Sequence, residues 1–133
     1  LARSGHEPPL LLRPPLAQPK NTDSHHRIYS YLQPEGIALG MVPTALYEAV
    51  LEETTLPFPP GSTLLLYTDG LTEMHNPQVE EFGSMRLAQH ALELEPAATA
   101  DEFNQRLFNR LKQFAEGMQA PDDLTLVTIR HNG

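Results

Sequence analysis

The sequence predicts a single domain over residues 1–133 of the α+β class, an antiparallel sheet or sandwich with helices packed on an outer face. Three observations lead there. Short apolar runs near 10–12, 27–32, 62–68 and 124–129 read as strands, and most follow one another without helices between them. Helical periodicity is clearest between residues 81 and 117. Thirteen prolines, about twice the ordinary share and mostly before residue 61, mark a loop-rich first half.

Residues 1–7 read as the tail of a strand with a turn at Gly5-His6, and Pro8-Pro9 directs an extended path into Leu10-Leu11-Leu12. The polar, proline-broken stretch from Pro14 to His26 is an excursion between strands. The strand from Arg27 to Leu32 places Ile28, Ser30 and Leu32 on one side and Tyr29 and Tyr31 on the other. Pro34-Glu35-Gly36 turns the chain into a short apolar piece ending at Gly40. Residues 45–58 contain good helix formers, but the alternation of Tyr47, Ala49 and Leu51 with Glu48, Val50 and Glu52, followed by Thr54-Thr55, predicts a strand. Pro57, Pro59, Pro60 and Gly61 then turn sharply into the strand from Ser62 to Thr68.

The last third changes character. Phe82, Leu87, His90 and Ala91 fit a short amphipathic helix over 81–94 with Gly83 near its start. Thr99 and Glu102 form a capping box for a second helix, whose Phe103, Leu107, Leu111 and Phe114 recur at helical spacing and which stops at Gly117. Pro121 leads into a closing strand, Leu124 to Ile129.

Composition narrows the function. A hydrophobic content of 40% is enough for a core, whereas a net charge of -8 and scattered basic residues argue against nucleic acid or an anionic membrane as partner. Without cysteine there is no disulfide, thiolate metal site or thiol nucleophile, which suits a cytoplasmic setting. No segment approaches the roughly 20 apolar residues that cross a bilayer, and the first residues lack a signal-peptide layout. The chain does not begin with methionine and is expected to be a piece of a longer one.

The stretch STLLLYTDGLTE, Ser62 to Glu73, ends a buried strand on Asp69-Gly70, and Asp122-Asp123 stands in front of the closing strand in the same manner. Each has a plain alternative, a hairpin turn for the first and a solvated strand entrance for the second, and on local sequence alone those alternatives weigh more. Together they make a candidate divalent-metal site, since Mg²⁺ and Mn²⁺ take carboxylate oxygens from several segments. His25-His26 point to opposite faces if they lie on a strand and do not suit a single ion. His6 reads as a structural hydrogen-bonding group, and Glu73 as a surface residue. No GxSxG elbow, P-loop, Rossmann fingerprint or HExxH is present.

SGHEPPLLL at Ser4–Leu12, GIALGM at Gly36–Met41, PGSTLLLYTDGLTEMHNPQVEEFG at Pro60–Gly83 and PDDLTLVTI at Pro121–Ile129, in that order, resemble the later part of bacterial metal-dependent protein phosphatases. The type is the one named after stage II sporulation protein E, in the PPM superfamily. The resemblance implies a β-sandwich flanked by helices, incomplete at the N-terminus, and a serine/threonine phosphoprotein phosphatase that uses a water activated by two Mn²⁺ or Mg²⁺ ions. It carries the catalytic metal ligands onto Asp69 and Asp122, with Asp123 shaping the site and Gly5-His6 matching the family's glycine-histidine turn. It also implies bacterial signalling, a phosphorylated substrate such as an anti-sigma-factor antagonist, and a sensory or receiver domain upstream.

The family's earlier segment, with an Asp-Gly or Gly-Asp metal motif, is not supplied by residues 1–133. This polypeptide alone is therefore expected to bind metal weakly and turn over little substrate, and its uncovered sheet edges suit a dimer or pairing with the missing half. The alternative reading is a degenerate phosphatase-like module that regulates a partner by binding it without hydrolysis.

Overall fold

The most apolar run of the chain lies in the middle of its sheet. A computed structural model describes residues 1–14, 28–95 and 99–132. Four strands, β1 (Leu10–Arg13), β2 (Ile28–Tyr31), β3 (Thr63–Tyr67) and β4 (Leu126–Arg130), form one sheet in the order β2-β1-β3-β4. Every pairing is antiparallel. Leu10 faces Tyr31 on one side and Leu65 on the other, and Leu65 faces Thr128.

That register puts Leu10, Leu12, Leu65 and Tyr67 on one face, where they are buried. Two helices cover this face: α3 (Gly83–Leu94), through Leu87, Ala88 and Ala91, and α4 (Ala100–Ala115), through Phe103, Leu107 and Leu111. Burying each leucine or phenylalanine of this set contributes about 1.5–3 kcal/mol. The four-residue spacing down α4 is the periodicity expected from the sequence. Thr99 caps the helix, its hydroxyl accepting from the Glu102 amide at 3.1 Å. The helix ends where Glu116 and Gly117 turn left-handed.

The opposite face is barer. Leu64 faces Ile129 and Leu66 faces Val127 across the β3–β4 pair, and Val127 and Ile129 remain 46% and 45% exposed. Leu11 on the same face is buried, beside Leu56 and Phe58 of the segment that leads into β3. The α+β class, with antiparallel strands and helices packed on a sheet face, is thus the architecture of this partial domain. The second sheet of a sandwich is not among the described residues.

The strand expected over 45–58 is instead a helix, α1 (Thr44–Val50), followed by extended chain. Pro43, at φ -57°, is preset for a helix start, and its carbonyl accepts from the amides of Leu46 and Tyr47, each at 3.0 Å. No residue of α1 is buried, so the alternation of apolar and charged residues had no sheet face to match, and the helix preference of Ala, Leu and Glu prevailed. Among the described residues, the ladder contact of this region is an isolated bridge from Glu53 to Ala2. His25-His26, and the excursion from Pro14 to His26 apart from Pro14 itself, lie outside the described residues.

Candidate metal centre

β3 is an interior strand, paired on both sides, and its alternation leaves Thr68 as the first residue beyond the ladder. From there the backbone does not make the hairpin that Asp-Gly suggests. It enters a single helical turn, α2 (Asp69–Thr72), in which the Glu73 amide donates to the Asp69 carbonyl at 2.8 Å and the Thr72 hydroxyl donates to the same carbonyl at 3.1 Å. Asp69 is the first residue of that turn. Its side chain is exposed, and one oxygen accepts from the Gly70 amide at 2.9 Å.

Gly70 is what allows the second aspartate pair to approach. A Cβ on this residue would lie 2.7 Å from the Asp123 carbonyl oxygen and 3.0 Å from that of Asp122. Only a residue with no side chain lets the two backbones touch here. Thr68 fastens the same junction: its hydroxyl donates to the Asp123 carbonyl at 2.7 Å and accepts from the Thr125 amide at 3.0 Å, while its own amide donates to the Thr125 carbonyl at 3.2 Å. Asp122 turns one carboxylate oxygen back to the Asp123 amide at 2.7 Å. The segments that carry Asp69 and Asp122-Asp123, more than fifty residues apart in the chain, thus meet where β3 ends and the approach to β4 begins, with all three aspartates exposed to solvent.

Oxygen donors of this kind suit hard cations such as Mg²⁺ and Mn²⁺. Among the described residues, no group of three or more Asp, Glu, His or Cys side chains is placed to hold an ion. The donor chemistry therefore fits, and the number of donors is partial. Glu73 is exposed, just beyond α2.

A cavity of about 350 Å³ adjoins the junction, lined by Arg3, His6, Glu7, Tyr67, Thr68 and Thr125 among others. Gly5 holds the turn that brings His6 there: its φ is +74°, and a Cβ would lie 2.6 Å from that of Ala38. Arg3 donates to the His6 carbonyl at 2.8 Å. Burial pushes the Tyr31 hydroxyl up to about 12 and raises Tyr67, in the cavity wall, as well, with the neighbouring tyrosine and Glu7 adding to the rise in Tyr67. Tyr31 donates to the Ser84 carbonyl at 2.5 Å, tying β2 to the start of α3. Sequence reasoning did not find the Thr68 clamp or the tyrosine pair. The available signal was that a threonine lies next to or near the aspartate in both the YTDG and DDLT blocks.

The family described as Stage II sporulation protein E (SpoIIE) matches residues 1–132. The chain belongs to the SpoIIE family. Protein IcfG of Synechocystis sp. is 29% identical over 131 residues, 97% of this chain and 18% of that protein. The SiaA-PP2C domain of Pseudomonas aeruginosa superposes with a TM-score of 0.66 at 18% identity, covering 97% of this chain and 45% of that one. The phosphatase domain of the cell fate determinant SpoIIE from Bacillus subtilis, from a manganese-presoaked sample, gives 0.56 at 16% identity over 98% of this chain and 49% of its own. The fold of this SpoIIE-family chain is accordingly that of PP2C-type phosphatase domains, of which it spans less than half in these two neighbours. None of its described helices is long and apolar enough to cross a membrane.

Proposed function

We propose that residues 1–133 are the later portion of a metal-dependent serine/threonine phosphoprotein phosphatase domain, with Asp69 and Asp122 as metal ligands and Asp123 shaping the loop that carries Asp122. The observation that carries the reading is the meeting of Asp69-Gly70 with Asp122-Asp123, at a distance only glycine permits, in a chain matched by the SpoIIE family along almost its whole length. Mn²⁺ or Mg²⁺, two ions in the complete domain, would supply a water of lowered pKa and offset the charge on the phosphate. The chain's own part is positional. β3 fixes Asp69, and Thr68 and Gly70 fix the Asp122 loop against it. The substrate is a phosphorylated protein, such as an anti-sigma-factor antagonist in bacterial cytoplasmic signalling.

The test is Mn²⁺-dependent hydrolysis of a phosphoserine peptide by the protein that carries this chain within its complete domain. Asp69→Asn and Asp122→Asn are each expected to lower turnover at least ~100-fold, since the ions supply several kcal/mol of transition-state stabilisation. Turnover that survives both substitutions, or that is as robust in the isolated chain as in the complete domain, overturns the assignment.

A further inference from the structure

The turn from Ser4 to His6 is held from several sides. Gly5 packs against Ala38 at a distance that leaves no room for a Cβ. The Ser4 hydroxyl donates to the Ile37 carbonyl at 2.8 Å and accepts from the Tyr47 hydroxyl at 3.2 Å, which ties the turn to α1. The Arg3 guanidinium donates to the His6 carbonyl at 2.8 Å and to the Pro34 carbonyl at 3.4 Å. These contacts fix the backbone on both sides of His6 and leave its ring untouched.

The imidazole is exposed, and among the described residues it has no hydrogen bond, ion pair or ring contact. The other described histidines are engaged. His131 stacks on Phe58 and donates to its carbonyl at 2.8 Å, His90 stacks on Phe82 with Nδ1 3.5 Å from the Glu93 carboxylate, and His75 lies 3.9 Å from the Glu81 carboxylate. A structural hydrogen-bonding role, which the sequence suggests for His6, thus has no bond to rest on. An unengaged surface ring alone would signify nothing; its place in the cavity wall sets this one apart. His6 shares that wall with Thr68 and Thr125, the residues that fasten the Asp122 loop to the end of β3. Asp69 follows Thr68 directly, so the cavity and the aspartate junction have a wall in common. Pro9, Leu66 and Val127 give the rest of the lining an apolar character. At about 350 Å³ the cavity falls at the lower end of the range for ligand sites, about 300–1,000 Å³.

We infer that His6 is a specificity-determining residue of this site, an inference that rests on the phosphatase reading above. The cavity takes the residue next to the phosphoserine or phosphothreonine of a polypeptide substrate. The His6 ring N–H donates to a peptide carbonyl of that residue, and its apolar side chain lies against Pro9, Leu66 and Val127. The chemistry follows from the wall. A neutral imidazole offers one N–H donor, a peptide carbonyl is an acceptor that must be satisfied when it leaves water, and apolar lining favours an apolar side chain. A small phosphate ester carries neither group and makes no use of His6.

The experiment uses the complete protein that carries this chain, with Mn²⁺, as wild type, His6→Ala and His6→Gln. It compares p-nitrophenyl phosphate with phosphoserine peptides bearing leucine or aspartate beside the phosphoserine. The wild type should prefer the leucine peptide at least about fivefold in kcat/KM, mainly through KM. His6→Ala should raise KM for that peptide about fivefold, the worth of one hydrogen bond, while hydrolysing the small ester within about twofold of wild type. His6→Gln keeps an N–H donor and should recover most of the loss. Both variants should melt with the wild type, because the ring has no partner among the described residues. An unchanged KM in His6→Ala, an equal loss on ester and peptide, a loss that His6→Gln does not recover, a lowered Tm, or a wild type indifferent to the neighbouring residue overturns the role of His6 and leaves the phosphatase reading standing. A wild type that hydrolyses neither ester nor peptide refutes the phosphatase reading, and the role of His6 with it.

Discussion

Replacing Gly70 by alanine separates what holds the fold from what holds the aspartates together. Gly70 lies in a helical turn and its φ is not positive, so alanine meets no backbone strain and gains about 1 kcal/mol in helix propensity. The added methyl, however, would sit 2.7 Å from the Asp123 carbonyl oxygen, and that carbonyl must retreat by about 0.7 Å to reach ordinary contact at 3.4 Å. The obstacle is backbone, which cannot rotate aside. The same carbonyl accepts the Thr68 hydroxyl at 2.7 Å, and a retreat of that size weakens the bond. Overpacking costs about 1–3 kcal/mol and the weakened hydrogen bond about 1 kcal/mol, so the net loss after the propensity gain is about 2 kcal/mol. For a chain of this size that is a fall in Tm of about 6–10 °C. Mn²⁺ affinity, measured by titration calorimetry on the complete domain, should fall at least tenfold because Asp122 is displaced from Asp69. A variant with unchanged Tm and unchanged Mn²⁺ affinity would refute the argument that the close approach builds the site.

Thr68→Val keeps the shape of the side chain but removes a donor to Asp123 and an acceptor for Thr125; it should cost about 1–3 kcal/mol by chemical denaturation and lower Mn²⁺ affinity as well. Thr99→Ala removes the α4 cap and should cost about 1 kcal/mol in the same assay, with no change in Mn²⁺ binding. The tyrosine pair makes stability sensitive to alkali. Tyr31 and Tyr67 keep their protons in the folded protein above the ordinary value of about 10, so their contribution is complete below that pH and is lost as the pH rises toward about 12. Tm measured from pH 9 to 11 should fall with pH, and Tyr31→Phe should flatten the fall.

What the sequence could reveal followed the range of the interactions involved. β3 was readable because Leu64-Leu65-Leu66 is bounded by a glycine turn and an aspartate, and α4 because Thr99, Glu102 and the four-residue spacing from Phe103 are local signals. α1 was misread because its alternation imitates a strand, and only the absence of a sheet face in contact with Thr44–Val50 settles the matter. The turn at Asp69-Gly70 was open for the same reason. Whether glycine is there for a hairpin or for a close approach depends on Asp122 and Asp123, more than fifty residues away in the chain. The aspartates were nameable from their family blocks, but the Thr68 clamp joins two segments whose proximity no periodicity encodes.

The two aspartate segments also stand on supports of different stiffness. Asp69 follows a strand laddered on both sides and buried beneath two helices, whereas Asp122 precedes β4, an edge strand, and is fastened chiefly through one threonine hydroxyl. In terms of motion, the support of Asp69 is expected to be the stiffer and the segment from Pro121 to Thr125 the softer. Hydrogen exchange should therefore find the amides of β3 among the slowest of the described residues and those around Asp122 faster.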